Sequence, residues 1–84
     1  MSGSEDVRLG RLRWRCRRGM KELDLVLVRW LEHRYAEATP ELRSAFERLL
    51  EAQDPELVSW LFRRERPADP SLAAIVDELL GGTR

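Results

Sequence analysis

Eighty-four residues suffice for one domain with a modest core, and with 43% apolar and 36% charged residues the chain is neither disordered nor, with apolar runs as short as Leu25 to Val28 and none longer than five residues, able to cross a bilayer. Fifteen basic and fifteen acidic residues cancel. Residues 1–24 nevertheless carry seven basic groups against four acidic, and the remainder eight against eleven, which favours an acidic partner surface over bulk nucleic acid.

Residues 1–5 are expected as a disordered tail ahead of a single helical domain over 6–84. Helix one is predicted over 6–18, with Leu9, Leu12 and Cys16 on one face. Gly19 then stops it in the left-handed conformation that other residues avoid. Helix two is predicted from 21 to 35 or 37, with an inward stripe of Leu23, Val26, Leu27, Trp30 and Leu31. Leu25 and Val28 widen that stripe and predict a central, largely buried helix. Thr39-Pro40, Asp54-Pro55 and Asp69-Pro70 each set a capping oxygen before a proline at the first helical position, where the missing N–H costs nothing. Helix three therefore spans 40–52, with Leu42, Ala45, Phe46, Leu49 and Leu50 inward. Helix four spans 55–64, with Leu57, Val58, Leu61 and Phe62. Helix five spans 70–80, with Leu72, Ile75, Val76, Leu79 and Leu80, and ends at Gly81-Gly82. No strand alternation competes. The expected architecture is all-α, a compact bundle-like domain of five helices with short connections.

The chemistry-bearing residues are few. Cys16 is the one cysteine, so no internal disulfide forms; together with the lack of an apolar leader this points to the cytoplasm. His33 is the one histidine and has no second histidine or serine at a supporting spacing, so neither an enzyme nor a metal centre is expected. No glycine-rich phosphate loop is present. Six arginines crowd helix one with Trp14 among them, a composition that can grip a phosphate backbone and stack bases. Alternate residues do not share a helical face, however, and the net charge is zero, so nucleic-acid binding stays the weaker alternative. Trp30 and Trp60 border apolar stripes and read as core or core edge. Trp14 either covers the core edge or anchors an interface.

The densest cluster is Arg17-Arg18-Gly19-Met20-Lys21-Glu22-Leu23-Asp24. It sets cations, a bare backbone and a carboxylate in the first turn of helix two on one corner. Helix stability alone does not call for Lys21 at a positive helix start. The corner reads as a docking surface for another polypeptide. The domain is expected as a monomer, with a weak dimer open if Trp14 is exposed.

The run from Arg11 to Asp24, with Arg18-Gly19-Met20-Lys21-Glu22 as an R-G-x-x-E motif, resembles the FAD assembly factors of succinate dehydrogenase. Leu31-Glu32-His33-Arg34-Tyr35, Phe46-Glu47-Arg48-Leu49-Leu50, Asp54-Pro55-Glu56-Leu57 with Trp60-Leu61, and Pro67-Ala68-Asp69 extend the resemblance over 7–80. It implies a five-helix chaperone that binds the flavoprotein subunit of succinate dehydrogenase or fumarate reductase and promotes covalent attachment of FAD to it. The FAD belongs to the partner and is not held tightly by the factor, which is not itself an enzyme. Arg11, Arg18, Gly19, Met20, Glu22 and Asp24 are then the partner-binding residues. An antitoxin role is the alternative attached to the same family. One departure stands out: the family's glycine after the helix of Trp60 is Glu65 here, so helix four is expected to end in a turn closed by Pro67.

Overall fold

The computed structural model describes residues 3–81, with side chains from Val7 onward. It contains α1 (Gly3–Arg15), α2 (Lys21–His33), a 3-10 turn (Tyr35–Glu37), α3 (Pro40–Leu49), α4 (Asp54–Leu61) and α5 (Pro70–Leu79). No strand occurs among the described residues, and no helix there is long and apolar enough to cross a membrane. The fold is the expected all-α arrangement of five helices.

The helices form where capping chemistry and apolar spacing coincide. Thr39 accepts the Leu42 amide at 3.2 Å, and Asp69 accepts those of Ser71 and Leu72 at 2.7 and 3.4 Å. At α4 the cap is shifted by one residue from the sequence expectation. Gln53 is the N-cap, its amide donating to Glu56 at 3.1 Å, and Asp54 is the first helical residue. This frees the Asp54 carboxylate for a partner elsewhere in the fold.

Phe46, Leu23, Leu27, Leu49, Leu57, Leu61, Ile75 and Cys16 are fully enclosed. Trp30 lies against Phe46, with ring centroids 4.8 Å apart, and meets Tyr35 edge-on at 6.0 Å. Trp30 is thus core, and Trp60 packs at its edge. Each enclosed leucine or phenylalanine contributes on the order of 1.5–3 kcal/mol. The helices α3 and α5 pack along each other, and the Arg48–Asp69 ion pair ties α3 to the cap of α5.

Several boundaries and faces differ from the sequence expectation. The helix α1 begins at Gly3 and stops at Arg15, not at residue 18. Its end tightens as Cys16 donates to Leu12 and Arg13 and Arg17 donates to Trp14 at 3.1 Å. The α2 helix stops at His33, and the 3-10 turn carries Tyr35 into the core. Leu25, expected to widen a buried stripe, is 55% exposed, because Leu23 and Leu27 already turn the opposite side of α2 inward. Phe62 and Leu80, also expected inward, fall just past the ends of α4 and α5 and are exposed. Helices three and four are shorter than expected, ending at Leu49 and Leu61. After α5, Gly81 adopts φ 120°, while the second glycine expected to end that helix, Gly82, lies outside the described residues.

The turn after α4 is closed by Arg63 N–H to Val58 O at 3.2 Å and Glu65 N–H to Ser59 O at 2.9 Å. Its left-handed residue is Arg64, at φ 62°. The strain therefore falls one position before Glu65, and the chain enters α5 over a buried Pro67.

Candidate functional site

Residues 16–20 link α1 to α2. Cys16 at the base is wholly buried, and burial pushes its thiol up to about 12, so it is a packing residue and not a nucleophile. The chain then turns outward through Gly19, whose φ of 85° is open to glycine at no cost. A Cβ built on Gly19 would meet nothing within 4 Å. The glycine is required by the backbone conformation and not by crowding, and its outer face is bare.

Two charged side chains brace this loop from beneath. The Asp24 carboxylate reaches back from α2 to accept the amides of Arg18 at 2.8 Å and Gly19 at 3.2 Å. The Arg18 side chain, 14% exposed, turns inward. Its guanidinium donates to Arg15 O at 3.1 Å, Leu50 O at 2.9 Å and Ala52 O, and to the Asp54 carboxylate at 3.0 Å. Leu50 and Ala52 lie just past the end of α3, and Arg15 is the last residue of α1, where backbone acceptors lack helical partners. Arg18 satisfies them with the planar fork of donors that only arginine offers. One residue thus joins the ends of α1 and α3 to the start of α4 and fixes the height of the loop over the core.

What the braces leave exposed is Arg17, Gly19, Met20, Lys21 and Glu22. Met20 is the N-cap residue of α2 and makes no side-chain cap bond. Beside them a shallow depression is lined by Arg17, Lys21, Glu22, Asp24, Leu25 and Val28. Of the residues expected at the site, Gly19, Met20, Glu22 and Asp24 come together on this loop and the first turn of α2. Arg18 lies under it. Arg11 stands apart, in a groove between α1 and α3. Trp14 is 76% exposed on α1. Sequence reasoning missed the anchors of Arg18 on Leu50, Ala52 and Asp54, since carbonyls some thirty residues away leave no trace in local spacing. It also missed Leu25 as surface, although Val28 packs partly buried against the core as expected; the position of Leu25 two residues from both Leu23 and Leu27 was the available signal.

No cluster of three or more metal-ligating side chains occurs among the described residues. The fold and the loop therefore define a class: a small all-helical protein whose distinctive polar chemistry sits on a braced, protruding turn. Within that class, the chain belongs to the family described as flavinator of succinate dehydrogenase, whose sequence model matches residues 10–82. It is similar to the FAD assembly factor SdhE of Methylococcus capsulatus, with 55% identity over 47 residues that cover 56% of this chain and 57% of the relative. It is also similar to the proteins of that name from Xylella fastidiosa, 48% identical over 50 residues (60% and 52% of the two chains), and Colwellia psychrerythraea, 46% over 50 residues (60% and 55%). The chain spans a little over half the length of the curated relatives it matches.

Proposed function

We propose that this protein is a docking chaperone for the flavoprotein subunit of succinate dehydrogenase, and of the related fumarate reductase, and that it promotes covalent attachment of FAD within that subunit. The observation that carries this reading is the braced loop: Gly19 offers bare backbone and Glu22, in the next turn, an exposed carboxylate, while Arg18 and Asp24 fix the loop before any partner arrives. Preorganisation of this kind lowers the entropy lost on binding.

Gly19, Met20 and Glu22 are the direct contacts in this proposal, with Arg11 on α1 as a further cation. Arg18 and Asp24 act through the loop as positioning residues. The factor contributes orientation, bringing the partner's reactive side chain and the flavin into register, and the flavin supplies the bond-forming chemistry. It is not a catalyst in this reading. The pocketed surface consists of shallow, open grooves, so free FAD is expected to bind weakly or not at all.

Purified apo-flavoprotein subunit, FAD and the factor, incubated and then denatured, report covalent flavin by in-gel fluorescence. The wild-type protein should raise that signal several-fold; Glu22→Ala and Gly19→Arg should not, while keeping their helical circular dichroism. A wild-type factor that leaves the signal unchanged, or variants as active as wild type, contradicts the proposal. Separately, tight one-to-one binding of free FAD in a titration calorimeter would contradict the assignment of FAD to the partner alone.

A further inference from the structure

The groove between α1 and α3 is lined by Val7, Arg8, Arg11, Leu12, Arg15 and Glu47. Arg8, Arg11 and Arg15 follow each other at spacings of three and four, which brings them onto one face of α1. Across from them one carboxylate stands among the described lining residues, and it is already engaged. Glu47 accepts the Arg8 guanidinium at 2.6 Å and the Tyr35 hydroxyl at 2.9 Å. Burial raises the Glu47 carboxyl, but these two hydrogen bonds outweigh it and hold the group below its ordinary range, so it is ionised near neutral pH. Among the described side chains lining the groove, three guanidinium groups stand against one carboxylate. Arg11 and Arg15 form no ion pair with any described residue. Leu12 at the base and the 57% exposed Val7 at the rim add apolar surface.

We infer that this groove is a second interaction site, which receives an acidic segment of a partner polypeptide, its carboxylates meeting Arg11 and Arg15 and its aliphatic stems lying on Leu12 and Val7. Charge complementarity selects that occupant. Cations set in a groove with an apolar floor suit alternating acidic and aliphatic side chains, and a chain of zero net charge is poorly suited to bulk nucleic acid. The identity of the partner as the flavoprotein subunit rests on the function proposed above; the groove's preference for acidic polypeptide does not. The electrostatic part of the contact speeds association and weakens with salt.

The full chain is titrated by fluorescence anisotropy against a labelled glutamate–leucine peptide and against a labelled single-stranded oligonucleotide of equal length, at 25 and 200 mM salt. Arg15→Glu and Arg11→Glu/Arg15→Glu are compared with Arg29→Glu/Arg63→Glu, a reversal of equal charge elsewhere on the surface. The peptide should bind wild type and the control alike, weaken at the higher salt, and lose about tenfold in affinity with the Arg11/Arg15 double reversal, consistent with two exposed ion pairs turned repulsive. Equal binding by all variants, tighter binding of the oligonucleotide, or no peptide binding at 25 mM salt overturns the inference. The flavoprotein subunit is the second probe. If Glu22→Ala abolishes its binding and Arg15→Glu leaves it unchanged, the acidic-segment site is refuted for that partner and the docking corner survives. If Arg15→Glu weakens it and Glu22→Ala does not, the groove stands and the corner falls.

Discussion

Arg18 shows how one side chain serves fold and function together. Its guanidinium meets three backbone carbonyls and one carboxylate while being largely withdrawn from water. Truncation leaves those acceptors without their donor, so Arg18→Ala should cost about 2–4 kcal/mol, much of it from hydrogen bonds to a charged group. Denaturant unfolding checks this, and Arg18→Lys should recover only part of the loss because an ammonium cannot reproduce the fork. Gly19 tests the backbone separately from the surface. At φ 85° with open space around it, Gly19→Asn should lose less than about 1 kcal/mol, whereas the β-branched Gly19→Val should lose about 2. The left-handed turn at Gly19 was legible in the sequence, since a glycine between two helical patterns has few other uses. Its cause was not: α1 ends four residues earlier, and the glycine serves the loop that Asp24 and Arg18 shape. The roles of Arg18 and Asp24 as braces were hidden because their partners come from the fold and not from neighbouring positions.

Among the elements, the starts of α3 and α5 were the most legible, because Thr39-Pro40 and Asp69-Pro70 write both the cap and the first helical residue. The ends were less so. The helices α1, α3 and α4 stop short of the lengths their sequences suggest, because apolar spacing continues into residues such as Leu50 and Phe62 that lie just outside the helix. The turn after α4 carries a correctable cost. Arg64 sits at φ 62°, where a Cβ is crowded, so Arg64→Gly should stabilise the protein by about 0.5–1 kcal/mol after glycine's own entropy loss, measurable as a higher denaturation midpoint. The links between elements also titrate. Asp69 is held below its ordinary range by Arg48 and by the Ser71 amide, and Glu47 by Arg8 and Tyr35 against the opposing pull of burial. Both carboxyls are depressed in the folded state, so the stability they contribute is present above about pH 4.5, the ordinary glutamate range, and is lost as pH falls through their folded values. Urea midpoints should therefore fall between pH 5 and pH 3, and Asp69→Ala should shrink that drop. At the alkaline end the sign reverses for Cys16. Its thiol, raised by burial, favours the fold fully below about pH 9, and that contribution erodes as pH climbs towards about 12.

For the molecule as a whole, the fold places its apolar mass on one side of α2 and leaves the loop before it exposed, braced and chemically distinct. The all-α class and the five helices were readable because no strand period competes with the helical one. The division of the surface into a corner at Gly19 and a basic groove along α1 was not, since it depends on how α1 crosses α3. In this account the corner is formed before the partner binds, and its outer residues are dispensable for folding. Calorimetric titration of the flavoprotein subunit into Glu22→Ala, paired with thermal unfolding of the same variant, tests this most directly. The expected result is an affinity reduced by about tenfold or more, the size of a lost charge-assisted contact at an interface centre, with a melting temperature within a few degrees of wild type. Wild-type affinity in the folded variant would contradict the account.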